Sequence, residues 1–260
     1  MKKISVITVC LNEVKLIEKT LASVINQTFR DFEYIVIDGG STDGTLEIIA
    51  RYRDKIDKFV SEKDEGIYDA MNKGISLSEG EYVIFINGGD FLVNDRVFER
   101  VFDNNPSEDI IYTNGVILLY KDFYLIKRFP EKITRTFMYM DTLPHQNAFC
   151  KLDLLKKCGG FDKSLKIAAD YDLFLKALYK FNASYFYLPI YIAVNNLDGV
   201  SNQRKFKKLT KLERYNSYLR YNSKIRTNFY RFFKPVYTLM IKYPKYLLDF
   251  IYSLRVGMNI

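Results

Sequence analysis

Hydrophobic and polar positions alternate regularly through the first hundred residues. Short apolar runs with the length of buried strands lie at 3–9, 32–37, 58–61 and 81–86. Between these runs, apolar residues recur at helical spacing, which predicts helices from about 14, at 45–52 and at 67–75. Strands that alternate with helices indicate βαβ units and a mostly parallel sheet. Asn12 stands where the cap of the first helix is expected.

Polar residues cluster where three of the predicted strands end. They occupy positions 12–13, 38–43 and 87–90. In open α/β sheets, ligands bind beyond the carboxyl ends of the parallel strands. The pattern therefore predicts one crevice that these three segments line.

The second half of the chain is less regular. Residues 110–126 contain two strand-like runs that predict a hairpin, with its turn near 121–122. Helices are predicted from near 151 to Gly159, from about 170 onward, and beyond 203. We expect an α/β domain at 1–199, with a nucleotide-binding part at about 1–95 and an acceptor part at about 96–199. Residues 200–260 form a basic, aromatic, helical C-terminal region.

Charge divides the chain more sharply than its overall value suggests. The net charge is +8 over 260 residues. Residues 201–260 hold 14 Lys and Arg against 2 Asp and Glu, whereas residues 1–200 hold 25 against 29. A basic region calls for an anionic partner. A membrane surface is the predicted partner; nucleic acid is not expected, because no nucleic-acid-binding motif accompanies the charge.

Composition also bounds the setting in which the protein works. The content of 48% hydrophobic residues suits a folded globular chain. The three cysteines are scattered without metal-ligand spacing, and no run approaches the roughly 18 apolar residues that span a bilayer. We therefore expect a reducing, cytoplasmic location.

Carboxylates at the strand ends are candidate ligands for a nucleotide. An Asp there can accept the imino N–H of a pyrimidine, in a charge-assisted hydrogen bond that contributes about 1.5–3 kcal/mol. Asp38 has this position, although an Asp before two glycines also closes its own turn. We favour the ligand role for Asp38. Asp43 suits a helix start equally well, and Glu13 suits either ribose hydroxyls or a helix N-terminus.

Asp90 is the candidate metal ligand. It ends the small-residue turn Asn-Gly-Gly-Asp after the run at 81–86. Mg²⁺ and Mn²⁺ prefer one or two carboxylates together with phosphate oxygens. Asn-Gly is a turn signal in any protein, and a turn is compatible with a metal site at this position.

Asp170 and Asp172 are candidates for accepting a proton from an attacking hydroxyl. An Asp at a helix start is more often a cap, and two positions apart on a helix their carboxylates point in different directions. Asp172 is spaced to pair with Lys176 on the surface, which makes Asp170 the better base. His145, the single histidine, lies in a polar loop, where contact with an acceptor or a metal and a structural role remain open.

Two other nucleotide-binding classes lack their signatures here. A dinucleotide-dependent dehydrogenase needs G-x-G-x-x-G after the first strand, and a sugar-nucleotide pyrophosphorylase needs a Gly-rich loop with Arg or Lys there. The residues that follow the first strand are CLNE. Both classes are therefore excluded.

Five ordered motifs resemble those of glycosyltransferase family 2, and the resemblance covers roughly residues 3–195. They are TVCLNE at 8–13, DGGSTDGT at 38–45, DEGIYDAMNKG at 64–74, GEYVIFINGGD at 80–90 and ADYDLFL at 169–175. The resemblance implies the GT-A fold and an inverting transferase that moves a sugar from a nucleotide-sugar donor to an acceptor hydroxyl. It also implies hexosyl- or N-acetylhexosaminyl-type transfer, with a UDP-sugar as the expected donor.

The resemblance assigns roles to individual residues. The nucleotide pocket is implied for Thr8, Asn12, Glu13, Asp38 and Asp64. Asp90 corresponds to the last residue of the family's Asp-X-Asp metal motif, which implies Mn²⁺ or Mg²⁺. Asn87 and Gly89 stand where aspartates are common, so one carboxylate is left to hold the metal. Asp170 matches the catalytic base, with Ala169 where the family often has an acidic residue.

Bacterial surface polysaccharide or lipid-linked oligosaccharide synthesis is the process that the resemblance implies. With the basic C-terminal region, it predicts a peripheral protein on the inner face of the cell membrane. From Lys234 onward, Thr238, Lys242, Lys245 and Asp249 form a polar stripe on a predicted helical segment that Pro244 divides. The incomplete metal motif leaves an alternative, a catalytically degenerate membrane-associated scaffold that binds sugar or nucleotide.

Overall fold

A computed structural model describes residues 2–103, 105–120, 123–196 and 204–239. The strands of these ranges are β1 (Ile4–Cys10), β2 (Phe32–Asp38), β3 (Lys58–Ser61), β4 (Tyr82–Phe85), β5 (Phe91–Leu92), β6 (Ile110–Tyr120), β7 (Phe123–Lys127), β8 (Ala148–Lys151) and β9 (Tyr185–Asn196). The α-helices are α1 (Ile17–Ile25), α2 (Thr45–Arg51), α3 (Ile67–Leu77), α4 (Val97–Phe102), α5 (Arg135–Met140), α6 (Leu152–Cys158), α7 (Ala169–Tyr179), α8 (Lys207–Tyr221) and α9 (Lys224–Tyr237). Short 3₁₀ turns lie at Arg53–Lys55, His145–Asn147 and Arg204–Phe206.

The described strands form one sheet in the order β3-β2-β1-β4-β8-β6-β9-β5, with β7 beside β6. The first four strands in this order are parallel. β8 pairs antiparallel with both β4 and β6, and β5 pairs antiparallel with β9. The predicted parallel sheet is thus confirmed for the first half, and the whole sheet is mixed.

Both faces of the sheet are covered, which explains why the early strands are apolar throughout. In β1, Ile7 and Val9 face a core built with α3, α6 and α7. Ile4 and Val6 face the opposite core, which α1, α2 and α4 complete. A strand buried on both faces reads as a continuous apolar run rather than an alternating one.

The C-terminal helices pack on the α/β domain. Tyr218 of α8 is fully buried in the same core as α7, and its hydroxyl donates to the Arg135 carbonyl. Thr227 of α9 is also fully buried, and Tyr230 of α9 packs against Tyr139 at a ring distance of 5.4 Å. No described helix combines the length and the apolar character that crossing a bilayer requires.

The helix and strand predictions were uneven in the second half. The hairpin of β6 and β7 is confirmed, and so is the end of α6 at Gly159, which adopts a left-handed φ of 77°. The hairpin turn at 121–122 and the expected boundary at 198–199 lie outside the described residues. β5, β8, β9, α4 and α5 were not predicted.

The prediction that Asn12 caps the first helix was wrong. Asn12 has a φ of 55°, and α1 begins five residues later, at Ile17. Its amide serves a neighbouring loop instead, because Asn12 Oδ1 accepts a hydrogen bond of 2.9 Å from the Thr42 backbone N–H.

Candidate active site

The three polar segments meet at one edge of the sheet, as predicted. Cys10 and Asp38 are paired residues at the ends of β1 and β2. The chain after β4 stays beside β1, since the Gly88 N–H donates to the Val9 carbonyl at 2.9 Å. The approach at Gly88 is close, because an added Cβ would lie 3.0 Å from the side chains of Cys10 and Glu13, which would have to shift.

The loops after β1 and β2 are joined by hydrogen bonds. The backbone N–H of Asn12 donates to Ser41 Oγ at 2.7 Å, and that of Glu13 donates to Thr45 Oγ1 at 2.8 Å. Asp43 accepts from the N–H and hydroxyl of Thr45. The Thr45 hydroxyl contributes most to holding the pKa of Asp43 below its usual range. Asp43 therefore has the geometry of the helix-start role.

Asp38 is fully buried, and its carboxylate closes the turn that follows it. One oxygen accepts from the Gly40 and Ser41 N–H groups, at 3.0 and 2.9 Å, and from the Ser61 hydroxyl at 2.8 Å. The other accepts from the Ser41 hydroxyl. These are the hydrogen bonds expected of an Asp that closes its own turn. Contact between Asp38 and a nucleotide base stays a prediction.

Asp64 lies next to this turn. Its carboxylate occupies the space that a Cβ on Gly39 would need, and its Oδ1 accepts from the Gly66 N–H at 2.9 Å. The structure thus brings Asp64 beside Asp38, at the end of β2. Asp64, Asn12 and Glu13 lie at this edge of the sheet, and their contact with a nucleotide stays a prediction.

Thr8 sits deeper than the other predicted pocket residues. Its side chain has no exposed surface, and its hydroxyl donates to the Ile86 carbonyl at 2.7 Å and pairs with the Tyr34 hydroxyl at 2.9 Å. Thr8 therefore ties β1 to the segment after β4 from inside the core. In this geometry its side chain does not line an open pocket, so the expected nucleotide contact at Thr8 finds no support.

Asp90 is a buried carboxylate whose hydrogen-bond donors come from distant parts of the sequence. Its Oδ2 accepts from Gln146 Nε2 at 3.0 Å, and its Oδ1 accepts from the Asn196 N–H at 2.9 Å. Burial raises the pKa of Asp90 to about 6. Burial destabilises the charged form of this carboxylate more than its two hydrogen-bond donors stabilise it, and a cation would relieve that cost.

The turn at Asp90 can supply oxygen ligands to a divalent cation. The Asn87 Oδ1 atom is buried and has no hydrogen-bond partner. It belongs to the same turn as Asp90, and amide and carboxylate oxygens are the donors that Mg²⁺ and Mn²⁺ prefer. Among the residues described, no group of three His, Cys, Asp or Glu could hold a metal. The turn thus fits a cation that takes most of its other ligands from a diphosphate.

His145 connects this turn to Asp170. Asn87 Nδ2 lies 3.0 Å from His145 Nε2, and His145 Nδ1 lies 3.5 Å from Asp170 Oδ2. An amide N–H donates to Nε2 only if that nitrogen is unprotonated, which leaves the proton on Nδ1, facing Asp170. The imidazole therefore orients the carboxylate. Of the roles left open for His145, this geometry supports a structural one directed at Asp170.

Asp172 is not the surface residue that was predicted. Its side chain is buried, and it pairs with Arg220 at 3.1 Å and with the Tyr221 hydroxyl at 3.2 Å. Lys176 donates to the Cys158 carbonyl instead. Asp172 and Lys176 do lie four positions apart on α7, but α8 covers the Asp172 side of that helix and supplies Arg220 as its partner.

Sequence reasoning missed Gln146 and Asn196 as partners of Asp90. Gln146 is adjacent to His145, and that adjacency was a usable signal. Asn196 acts through its backbone N–H at the end of β9, and a backbone contact leaves no trace in the sequence.

Comparison with known proteins agrees with this geometry. The model of the family described as "Glycosyl transferase family 2" matches residues 5–152. The PGL/p-HBAD biosynthesis glycosyltransferase of Mycobacterium bovis (strain BCG / Pasteur 1173P2) is 28% identical over 206 residues, which cover 76% of this chain and 78% of that protein.

Two solved structures share the fold. S. aureus TarS 1–349 in complex with UDP-GlcNAc superposes with a TM-score of 0.65 at 20% identity, covering 99% of this chain and 81% of that one. A mannosyltransferase from Pyrobaculum calidifontis, in complex with GDP-Man and Mn²⁺, superposes with a TM-score of 0.65 at 17% identity, covering 98% of this chain and 75% of that one. These likenesses establish the predicted GT-A fold.

Proposed function

The chain belongs to glycosyltransferase family 2, and from this premise we propose that it transfers a sugar from a UDP-sugar to an acceptor hydroxyl with inversion at the anomeric carbon. The protein is a glycosyltransferase that uses a nucleotide-sugar donor. UDP as the nucleotide, hexosyl or N-acetylhexosaminyl as the sugar, and inversion as the stereochemistry are the proposed refinements.

The observation that carries the proposal is the link from Asn87 through His145 to Asp170. It joins the turn that would hold a diphosphate to the carboxylate that would act as base. Inversion needs one base on the acceptor side of the sugar and no protein nucleophile. Asp170 suits this task, because its Oδ1 accepts from the Tyr171 N–H at 2.8 Å while its Oδ2 faces the imidazole.

In the proposed reaction, Asp170 accepts the proton of the acceptor hydroxyl. The hydroxyl oxygen forms a bond to the anomeric carbon, and the bond from that carbon to the diphosphate oxygen breaks, so that UDP leaves with the electron pair. His145 holds the Asp170 carboxylate in place through its Nδ1–H. Asp90 and Asn87 Oδ1 would hold Mn²⁺ or Mg²⁺, which neutralises charge on the departing diphosphate when bound.

Donor recognition is proposed for the edge formed by Asp38 and Asp64. A UDP-sugar is favoured because a carboxylate at this edge suits the imino N–H of uracil. The Asp38 oxygens are engaged in its own turn, so Asp64 beside it is the proposed acceptor. The structural relatives include one with UDP-GlcNAc and one with GDP-Man, so both nucleotides belong in the test.

A panel of UDP- and GDP-sugars, assayed for slow hydrolysis by the purified protein, tests the proposal. Hydrolysis of one or more UDP-sugars at a rate above that of the Asp170→Asn variant is expected. Binding without any hydrolysis would support the degenerate-scaffold alternative. Hydrolysis of GDP-sugars alone would move the donor assignment to GDP.

We further propose that the C-terminal region docks on the anionic inner face of the cell membrane, where a lipid-linked or surface-glycan acceptor would be presented. α9 supports this proposal because it turns its apolar stripe away from the protein. Exposed apolar side chains recur at helical spacing at Ile225, Phe229, Phe232, Phe233 and Val236. Phe232 is 78% exposed, whereas Thr227, on the opposite side of the helix, is fully buried.

Exposed basic residues accompany the stripe. On a helical projection, Arg226 borders it, whereas Lys224 and Arg231 lie farther round the helix, between the stripe and the buried side. This arrangement is typical of a helix that lies in the interface of an anionic bilayer, where each Lys or Arg contributes about 1 kcal/mol. The stripe predicted at Thr238, Lys242 and Lys245 lies mostly outside the described residues.

Co-sedimentation with phosphatidylglycerol vesicles at low and moderate salt tests docking. Binding is expected for the wild-type chain, with a large loss in a Phe229→Ser, Phe232→Ser double variant and little loss in an Ile67→Ser control, because Ile67 is an exposed apolar residue on another helix. Wild-type protein that stays in the supernatant would overturn the proposal. So would a concentration-dependent dimer that buries Phe232.

A further inference from the structure

The loop that leads into Asp170 is held by a residue of the C-terminal region. Three successive backbone N–H groups, those of Lys166, Ile167 and Ala168, donate to the Glu213 carboxylate at 2.9, 2.9 and 3.0 Å. Glu213 belongs to α8 and is 7% exposed. α7 begins at the next residue, Ala169, and its N-cap, Ala168, has no side-chain acceptor of its own.

The three donors all precede Ala169, so Glu213 fixes the loop that leads into α7 and leaves the first N–H groups of the helix itself to other acceptors. A carboxylate near a helix N-terminus is also favoured by the helix dipole. The same loop is fixed from its other side, because the Tyr68 hydroxyl of α3 donates to the Ile167 carbonyl at 2.7 Å. Glu213 and Tyr68 thus clamp the three residues that come two to four positions before Asp170.

We propose that Glu213 is a positioning residue for Asp170, so that α8 is a working part of the active site and not a separable appendage. The inference rests on the proposed role of Asp170 as the base. Glu213 is directed at the Asp170 loop alone, since its two oxygens are taken by the three N–H groups of that loop. The expected domain limit at 199 therefore cuts through the catalytic unit.

A double-mutant cycle tests this role. The readout is the kcat for hydrolysis of a UDP-sugar, the reaction that needs no identified acceptor. Glu213→Gln keeps the shape of the side chain but turns an amide N–H₂ toward backbone donors. We expect it to lower kcat by about 10- to 100-fold while the Kd for UDP, measured by calorimetry, changes less than about twofold. In an Asp170→Asn background, Glu213→Gln should lower kcat by less than about twofold, because the base that it positions is already absent.

Glu33→Gln is the matched control. Glu33 is also a buried carboxylate that accepts backbone N–H groups, those of Glu79 and Gly80, but it lies near the amino ends of the strands, away from the site. Its substitution is expected to lower the melting temperature and to leave kcat unchanged. An equal loss of kcat in both Glu-to-Gln variants would reduce Glu213 to a stability role.

The outcomes separate this inference from the proposed function. Unchanged turnover in Asp170→Asn would overturn the base assignment itself. Suppose that Asp170→Asn lowers kcat as expected, and that adding Glu213→Gln lowers it by a further 10- to 100-fold. This result would overturn only the role of Glu213. If the variants do not fold, amide exchange of the wild-type segment 166–168 decides, because exchange at the rate of an unstructured chain would contradict the clamp.

Discussion

The loop after β2 and the turn after β4 each end a parallel strand and each carry a buried aspartate, yet they are held in different ways. Asp38 is bonded by donors of its own turn and by Ser61. Asp90 depends on Gln146 and Asn196, which are 56 and 106 positions away. An unpaired amide oxygen of Asn87 lies in the turn with Asp90, whereas the donors around Asp38 leave its carboxylate little further capacity.

The difference separates a structural carboxylate from one with room for a ligand. A carboxylate that organises its own turn can present the turn to a nucleotide, but its oxygens are already engaged. A carboxylate held in a low-dielectric position by two donors still favours a cation nearby. We therefore expect substitutions at Asp38 to act first on folding and substitutions at Asp90 to act first on metal-dependent binding.

The largest expected effect lies at neither of these residues but at Asp170, the proposed base. Asp170→Asn is expected to lower transfer by roughly 10²–10⁴, the usual contribution of a general base, with the Kd for UDP nearly unchanged. Steady-state kinetics and calorimetry measure the two quantities. A near-normal kcat would move the base elsewhere, and His145 and Asp172 would be substituted next.

A smaller effect, on folding, distinguishes the two buried carboxylates directly. Asp38→Ala leaves several buried donors unpaired and is expected to lower the free energy of unfolding by about 2–4 kcal/mol, at about 1–3 kcal/mol for each unpaired group with partial relaxation. Asp90→Ala unpairs two donors but also removes a carboxylate that is costly to ionise, so a loss of about 1 kcal/mol or less is expected. Urea denaturation at pH 7.5 compares them, and equal losses would contradict the distinction.

The pH dependence of stability sharpens the assignment for Asp90. Its pKa is about 6 in the folded protein against 3.8 as the ordinary value. The folded state thus holds this proton more tightly, so the contribution of Asp90 to stability is present below about pH 4 and is lost as pH rises to about 6. The loss is about 3 kcal/mol by linkage.

Asp90→Asn should remove this dependence, since the amide does not titrate and Gln146 can turn its carbonyl oxygen toward it. Urea denaturation in EDTA at several pH values gives the free energy of unfolding of the wild type and of the variant. Their difference cancels the contributions of the other titrating groups. If the difference in the free energy of unfolding between wild type and variant is the same at pH 4 and pH 7, folding does not raise the pKa of Asp90.

The smallest expected effect is on metal-dependent binding of UDP. Calorimetry with and without Mn²⁺ is expected to show about tenfold tighter binding with the metal, or about 1.4 kcal/mol. Asp90→Ala should abolish that difference, and Asn87→Ser should reduce it. Equal affinity after EDTA treatment of the wild type would rule out the metal role.

The N-terminal half was largely predictable, because its signals are local. Continuous apolar runs, helical spacing and the turn residues of the segment 38–45 each depend on neighbours within a few positions. The hairpin of β6 and β7 and the end of α6 at Gly159 were predictable for the same reason. Element types followed from these patterns, whereas the start of α1 did not, since the left-handed Asn12 delays it.

By itself, the sequence determined the family and the fold class, and it named Asp38, Asp90 and Asp170 as candidate site carboxylates, whose roles stay predictions. These follow from motifs in which each residue acts within its own turn or helix. Tertiary structure alone decided that Thr8 is buried, that Asp172 faces Arg220, and that Gln146 and Glu213 support the site. Such contacts join residues tens of positions apart, and their partners are set by how α8, β9 and the His145 loop pack on the sheet, which no local pattern encodes.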